Sequence, residues 1–137
     1  MQTALADFIR DTPAGREANA ILRSCVHCGF CTATCPTYLL LGDEQDSPRG
    51  RIYLIKEMLE GRTATAKTRL HLDRCLTCRS CETTCPSGVQ YGRLVDIGLR
   101  VVDKRAPRSL ARRAQRWLIR EGLLARPLLA AGLAIGR

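Results

Sequence analysis

Aromatic side chains are scarce in this sequence, which has one tryptophan, three tyrosines and two phenylalanines in 137 residues. Aromatic rings usually supply much of the apolar area that a folded domain buries. The core is therefore expected to be aliphatic, or to be organised by something other than side chains. The length is that of one domain, which allows a modest core but excludes a large enzyme.

Long apolar runs and a secretory signal are also missing. The longest apolar run, 128–136, has nine residues, whereas a membrane-spanning helix needs about 20. Asp7, Arg10 and Asp11 stand where a signal peptide would need its apolar segment. These absences predict a cytoplasmic chain, a compartment in which thiols stay reduced and disulfides are rare.

Sequence motifs for cofactor binding and catalysis are absent as well. The sequence has no GxGxxG, no P-loop and no pairing of a nucleophile with a base. No flavin or nicotinamide site and no catalytic residue are therefore predicted in this chain.

What the sequence does have is eight cysteines, all placed in two copies of one spacing. "SCVHCGFCTATCP" supplies Cys25, Cys28, Cys31 and Cys35, and "RCLTCRSCETTCP" supplies Cys75, Cys78, Cys81 and Cys85. Both copies read C-x2-C-x2-C-x3-C-P, the run that two-cluster bacterial ferredoxins use. The eight cysteines are therefore predicted to bind two [4Fe-4S] clusters.

The fourth cysteine of each copy is expected to serve the other cluster, as it does in two-cluster ferredoxins. The predicted ligands are Cys25, Cys28, Cys31 and Cys85 for the first cluster, and Cys75, Cys78, Cys81 and Cys35 for the second. Because Cys31 and Cys35 are only four residues apart, the reach of the chain keeps the cluster centres within about 10–15 Å of each other. Such a pair would conduct electrons, and cluster binding would be coupled to folding.

Three other interpretations of the cysteines are weaker. Two zinc sites could use all eight thiolates, but zinc favours paired C-x2-C units and gives no reason for a third cysteine and a proline. A disulfide framework would need an oxidising compartment. A thioredoxin-type C-x-x-C pair does not explain a repeated four-cysteine run.

The segments around the motifs carry helical periodicity. Helices are predicted over 14–23, from an N-cap at Ser47 with Pro48 in the first position, over 66–74, and over 93–105. No alternating stretch is long enough to predict a sheet. The predicted fold class is mostly α: an alpha-helical ferredoxin-type domain over 1–106 organised by two [4Fe-4S] clusters, followed by a basic amphipathic helical tail over 107–137.

The tail holds most of the net charge of +9. From Pro107 onward there are seven arginines and one acidic residue, a net charge of +6. Arg108, Arg112, Arg116 and Arg120 form a ridge opposite Leu110, Ala114, Trp117 and Leu118, and Gly122 is predicted to end the helix. The ridge is interpreted as a solvated face, a contact for an acidic partner subunit, or a contact for an anionic membrane. Nucleic acid is not expected, because aromatic residues are not interleaved with the arginines.

Four further residues or segments stand out. His27, between two predicted ligands, is expected to be a packing or solvent-facing residue, or else to tune the first cluster by a hydrogen bond or lie near a partner. His71 is predicted to lie on the surface. "SPRGR" at 47–51 is interpreted as the start of a helix rather than as a phosphate site, and Gly98 is predicted to permit close helix packing.

The text around the cysteines resembles the N-terminal region of the glycolate oxidase (glycolate dehydrogenase) iron–sulfur subunit. The residues that carry this resemblance are "LADFIRDTPAGREANAILR", "SCVHCGFCTATCPTY", "SPRGRIYLIKEMLEG" and "HLDRCLTCRSCETTCPSGVQYGRLVDIG". The resemblance implies a helical domain with two [4Fe-4S] clusters that relays electrons. The electrons would come from flavoprotein subunits that oxidise glycolate to glyoxylate, and would pass toward the respiratory chain.

Further expectations follow from this resemblance. Members of the family continue with cysteine-rich CCG-type domains, so the tail is interpreted as the start of a truncated downstream region. The acceptor is expected to be peripheral to the membrane or quinone-linked. The chain itself is expected in the cytoplasm or peripherally on the cytoplasmic face of the inner membrane. Alternatives are the iron–sulfur subunit of a lactate or glycerol 3-phosphate dehydrogenase, a free-standing two-cluster ferredoxin, and a zinc-organised interaction module.

Overall fold

The structure, a computed structural model, describes residues 1–124, and within them all regular elements are helical. The predicted mostly-α class is therefore confirmed. The helices are α1 (Asp7–Arg10), α2 (Pro13–Ser24), α3 (Pro36–Leu41), α4 (Pro48–Leu59), α5 (Ala66–Asp73), α6 (Ser80–Thr83), α7 (Tyr91–Arg105) and α8 (Leu110–Leu124). Single 3₁₀ turns lie at Phe30–Thr32 and Glu44–Asp46. The described residues divide into two units, one formed by residues 1–106 and one that begins at Pro107.

The two long helices that flank the first motif begin with the same local chemistry. The Thr12 hydroxyl accepts the Gly15 N–H at 3.0 Å, and the Ser47 hydroxyl accepts the Gly50 N–H at 2.9 Å. Each capping residue is followed by a proline, whose missing N–H costs nothing in the first turn. The predicted start of α4 at Ser47 and Pro48 is confirmed.

The core of the first unit forms around α7, which packs against α2, α4 and α5. Its fully buried apolar side chains are mainly aliphatic, among them Leu22, Ile55, Leu59 and Leu94. A Cβ atom at Gly98 would lie 2.7 Å from the Ile55 side chain. The glycine thus lets α4 and α7 approach closely, as predicted.

The second unit contains α8, whose Leu110, Trp117, Leu118 and Ile119 are all exposed. Arg108, Arg113, Arg116 and Arg120 line a shallow groove beside Trp117. The helix runs through Leu124, so the prediction that Gly122 ends it is wrong. No described helix is long and apolar enough to cross a bilayer, and the apolar run 128–136 lies outside the described residues.

Candidate metal centre

The first cysteine motif is a tight loop between α2 and α3. Cys25 follows the last turn of α2 and donates its N–H to the Leu22 carbonyl at 3.2 Å. His27 and Gly29 then adopt left-handed backbone angles, with φ of 56° and 88°. A 3₁₀ turn at Phe30–Thr32 follows, and Cys35 stands at the start of α3. This sequence of turns folds the loop back on itself, so that its first three cysteines line one cavity.

The second motif repeats this backbone position by position. Thr77 and Arg79, which correspond to His27 and Gly29, have φ of 53° and 60°. The short helix α6 takes the place of the 3₁₀ turn. Side chains with a Cβ atom rarely adopt positive φ outside functional loops, so the repeated strain indicates that both loops are shaped for the same task.

The two loops contact each other at equivalent threonines. The Thr84 hydroxyl donates to the Thr34 hydroxyl at 3.3 Å, and the Thr34 hydroxyl lies 3.3 Å from the Ser80 carbonyl. Thr34 and Thr84 each directly precede the fourth cysteine of their motif. This contact brings the end of each loop toward the cavity of the other.

The first cavity is lined by three cysteines of the first motif and by the fourth cysteine of the second. Its thiols belong to Cys25, Cys28, Cys31 and Cys85, and Cys81 of the second motif lines it as well. Ile52, Val89 and Pro48 supply apolar wall. Cys28 is the exposed thiol of this set, whereas Cys25 is buried.

The second cavity has the reciprocal composition. Its thiols belong to Cys75, Cys78 and Cys81 of the second motif and to Cys35 of the first. Cys35 is 6% exposed, and Cys78 is the exposed thiol. Cys81, Pro48 and Tyr91 line both cavities, so the two sites share a wall.

Burial keeps several of these thiols neutral in the protein alone. It raises the pKa of Cys25 and Cys31, and neighbouring thiols raise both further. Burial, together with Cys31 and Cys75, raises the pKa of Cys81 to about 12. The pKa of the exposed Cys78 is lowered by hydrogen bonds from Ser80. Because thiols bind metal as thiolates, metal binding here must release protons and must supply the positive charge that makes their loss favourable.

A buried polar network borders the second cavity. Arg51 is 1% exposed, and its Nε donates to the His71 carbonyl at 2.7 Å. Its Nη1 lies 3.1 Å from the Thr37 hydroxyl and 3.8 Å from the Cys35 Sγ. The Thr37 hydroxyl lies 3.2 Å from the same sulfur. An arginine inside the SPRGR segment is thus a neighbour of a predicted ligand.

Asp46 is the acidic partner of this network and is fully buried. Its carboxylate lies 3.0 Å from His71 Nδ1, 2.7 Å from Arg74 Nη1 and 3.5 Å from Arg51 Nη2. Burial alone would raise the pKa of Asp46, but the hydrogen bonds from His71 and Arg74 outweigh it and hold the pKa below its usual value. The carboxylate is therefore ionised and offsets part of the positive charge of the arginines beside it.

The two histidines differ from each other in position. The prediction that His71 lies on the surface is wrong: it is 2% exposed, because Asp46 provides a buried partner for its ring. His27 lines the first cavity and meets the Tyr53 ring edge-on, with the ring centroids 6.3 Å apart. No sequence pattern marked Arg51 or Asp46, since a lone charged residue is usually solvated.

The residues present fit iron–sulfur clusters. The four predicted ligands of each cluster line one cavity with a largely apolar wall, and thiolate is the ligand that such clusters use. Tyr91 and Ser80 add hydroxyl groups at 3.5 Å from Cys75 Sγ and 3.6 Å from Cys78 Sγ. Hydrogen bonds of this kind orient and tune metal-bound sulfur.

Residues 21–89 match the 4Fe-4S dicluster domain family. The chain is 62% identical over 123 residues to the glycolate oxidase iron–sulfur subunit of Escherichia coli (strain K12), an overlap of 90% of this chain and 29% of that protein. It is 41% identical over 97 residues to the probable glycolate oxidase iron–sulfur subunit of Bacillus subtilis (strain 168), covering 69% of this chain and 22% of that protein.

A more distant relative is the succinate dehydrogenase iron–sulfur subunit of Paracoccus denitrificans, which is 28% identical over 81 residues, or 54% of this chain and 31% of that one. The chain thus spans less than a third of the length of these relatives. The resemblance to the N-terminal region of glycolate oxidase iron–sulfur subunits is confirmed. With two cysteine-lined cavities, an all-helical described fold and a family match across both motifs, this chain belongs to the 4Fe-4S dicluster domain family.

Proposed function

We propose that this chain is the iron–sulfur electron-transfer subunit of a glycolate dehydrogenase (oxidase) complex. The observation that carries the proposal is the pair of cysteine-lined cavities with a common wall. Similarity to glycolate oxidase iron–sulfur subunits across both motifs supports the choice of complex. In this role the chain takes electrons from a flavoprotein that oxidises glycolate to glyoxylate and passes them toward the respiratory chain.

The proposal includes two [4Fe-4S] clusters with a crossed fourth ligand. One is held by Cys25, Cys28, Cys31 and Cys85, and the other by Cys75, Cys78, Cys81 and Cys35. The lining of the two cavities supports these two sets, because Cys85 of the second motif lines the first cavity and Cys35 of the first motif lines the second. A bound cluster takes up and releases electrons singly, while the buried cysteines and apolar walls keep water from the site.

Each cysteine loop exposes groups that a partner protein can contact. Cys28 and Cys78 are the exposed thiols of the two sites. Val26 and Leu76, at equivalent positions in the two loops, are 68% and 64% exposed. Exposed apolar side chains next to an electron-transfer site are suited to brief contact with another protein.

Glycolate oxidation itself is assigned to the flavoprotein. It removes two electrons and two protons from glycolate, formally a hydride from carbon and a proton from the hydroxyl, which is flavin chemistry. We place the complex in the cytoplasm, with an acceptor that is peripheral to the inner membrane or quinone-linked.

The cluster count is tested by chemical analysis of the anaerobically purified chain. We expect about eight irons and about eight inorganic sulfides per chain, because two cubane clusters have this content. Two zinc ions without sulfide would contradict the cluster assignment. About four irons with four cysteines open to alkylation would contradict the count of two.

The electron-transfer role is tested by mixing the cluster-loaded chain with glycolate and the flavoprotein subunits of a glycolate oxidase. The chain alone should reduce no dye in the presence of glycolate. With the flavoprotein added, the visible cluster absorbance should bleach in a glycolate-dependent way, and omission of glycolate is the control. Dye reduction by the chain alone would contradict the relay role. So would a flavoprotein that reduces dye with glycolate but leaves the clusters oxidised.

A further inference from the structure

The two cysteine sites have the same spacing but different surroundings. Within residues 1–124, the side-chain hydrogen bonds that reach cysteine sulfur all end on the second site. Thr37 and Arg51 approach Cys35 Sγ at 3.2 and 3.8 Å, Tyr91 approaches Cys75 Sγ at 3.5 Å, and Ser80 approaches Cys78 Sγ at 3.6 Å. These sulfur atoms stand for the thiolates that would hold a cluster.

Arg51 brings a fixed positive charge to this site. Its guanidinium is 1% exposed and is anchored by the His71 carbonyl at 2.7 Å and the Thr37 hydroxyl at 3.1 Å. The Asp46 carboxylate is shared between Arg51 and Arg74, at 3.5 and 2.7 Å. One carboxylate against two guanidinium groups leaves a net positive charge next to the second cavity.

The first cavity also has an arginine, but its charge is weakened in two ways. Arg49 lines that cavity, and its side chain is 37% exposed, so water screens it. Its Nε donates to the Glu44 carboxylate at 2.7 Å, which balances the charge. Arg51 and Arg49 lie two residues apart on α4, yet only Arg51 is withdrawn from water.

Charge and hydrogen bonding decide how readily an iron–sulfur centre accepts an electron. Reduction adds a negative charge, and buried positive charge and donors to the sulfur atoms favour the reduced form. A charge in the interior acts more strongly than one at the surface because the effective dielectric constant is lower there. The second site has both a buried positive charge, on Arg51, and side-chain donors to its cysteine sulfur atoms.

We propose that Arg51, assisted by Tyr91, gives the centre at Cys35, Cys75, Cys78 and Cys81 a higher reduction potential than its neighbour. Electrons that reach the pair therefore collect at the second centre, which sets the direction of transfer within the chain. Arg51 acts through the Cys35 thiolate and is a positioning residue for the relay. This inference rests on the proposed two-cluster function.

The test is an anaerobic redox titration of the cluster-loaded full chain, followed by EPR. Cys28→Ser and Cys78→Ser alter one ligand of each site and assign the two signals. In the unaltered chain, the signal of the second site should appear at the higher potential. Arg51→Met should lower its reduced-to-oxidised ratio at the original midpoint at least about tenfold, which is about 59 mV for one electron. The midpoint potential of the first site should change less.

A matched control is Arg93→Met, the same change at an arginine on α7 that is 64% exposed and pairs with Glu17. It should leave both midpoints in place. Tyr91→Phe removes one hydroxyl and keeps the ring, so it serves as the deciding variant if Arg51→Met fails to retain iron. Its expected effect is a fall of about threefold in the same ratio at the second site.

Three results would overturn the inference alone, in a protein that shows two centres. The first is a higher midpoint potential at the first centre than at the second. The second is an Arg51→Met variant in which the midpoint potential of the second centre is unchanged. If that variant loses its iron, the third is an unchanged midpoint potential of the second centre in Tyr91→Phe. A chain that binds no clusters would overturn the proposed function and this inference with it.

Discussion

A Cys35→Ser variant is expected to lose or alter the iron–sulfur centre of the second motif, although Cys35 belongs to the first. Cys35 is 6% exposed and lines the cavity of Cys75, Cys78 and Cys81. Serine has nearly the same size but lacks the thiolate that these clusters require. The variant should therefore keep its fold near the first site and lose up to about four of about eight irons.

The measurement is EPR of the reduced protein, with reference spectra that do not depend on the crossed assignment. Cys78→Ser alters a ligand within the second motif, and Cys28→Ser alters the equivalent ligand within the first; both thiols are exposed. The spectrum of Cys35→Ser should match that of Cys78→Ser. The reciprocal variant, Cys85→Ser, should match Cys28→Ser. If each variant instead disturbs the centre of its own motif, the crossed ligand sets are wrong.

The second large effect is expected at Asp46. Asp46→Asn keeps the shape of the side chain but removes the negative charge beside the buried Arg51, which is 1% exposed. Removing one partner of a buried ion pair costs about 3–5 kcal/mol, because the remaining charge is left uncompensated. For a unit of this size, each kcal/mol lowers the melting temperature by about 4–8 °C.

The melting temperature of the cluster-loaded variant should therefore fall by more than about 10 °C, as followed by far-UV circular dichroism. Asp7→Asn is the matched control, since it is the same substitution in an ion pair whose aspartate side chain is 91% exposed. Its melting temperature should equal that of the unaltered chain, because exposed ion pairs contribute little to stability. Equal melting of the two variants would show that the Asp46 network does not hold the unit together.

Much of the fold could be predicted from the sequence because its causes are local. Ser47 and Pro48 start α4 through bonds within one turn of the chain. The aliphatic faces of α2, α4 and α7 follow from periodicity alone. The spacing of the cysteines likewise requires a loop in which successive thiols point toward one cluster.

The arrangement around the second site could not be predicted in this way. His71 reads as a surface residue on a short helix until Asp46, 25 residues earlier, is placed beside it. Arg51 reads as part of a helix start until its contact with the His71 carbonyl, 20 residues away, is known. The sequence alone does not indicate which arginine side chain is buried.

The sequence by itself thus determined the ligand type, the two-fold repetition of the motif and the helical class, because each depends on residue chemistry at fixed short spacing. Only the tertiary structure decided that Cys81 and Tyr91 line both cavities, and that Arg51 rather than Arg49 is buried. The physical reason is that burial and desolvation depend on elements that meet across long stretches of chain. Two motifs with the same cysteine spacing therefore acquire different electrostatic surroundings from the helices packed against them.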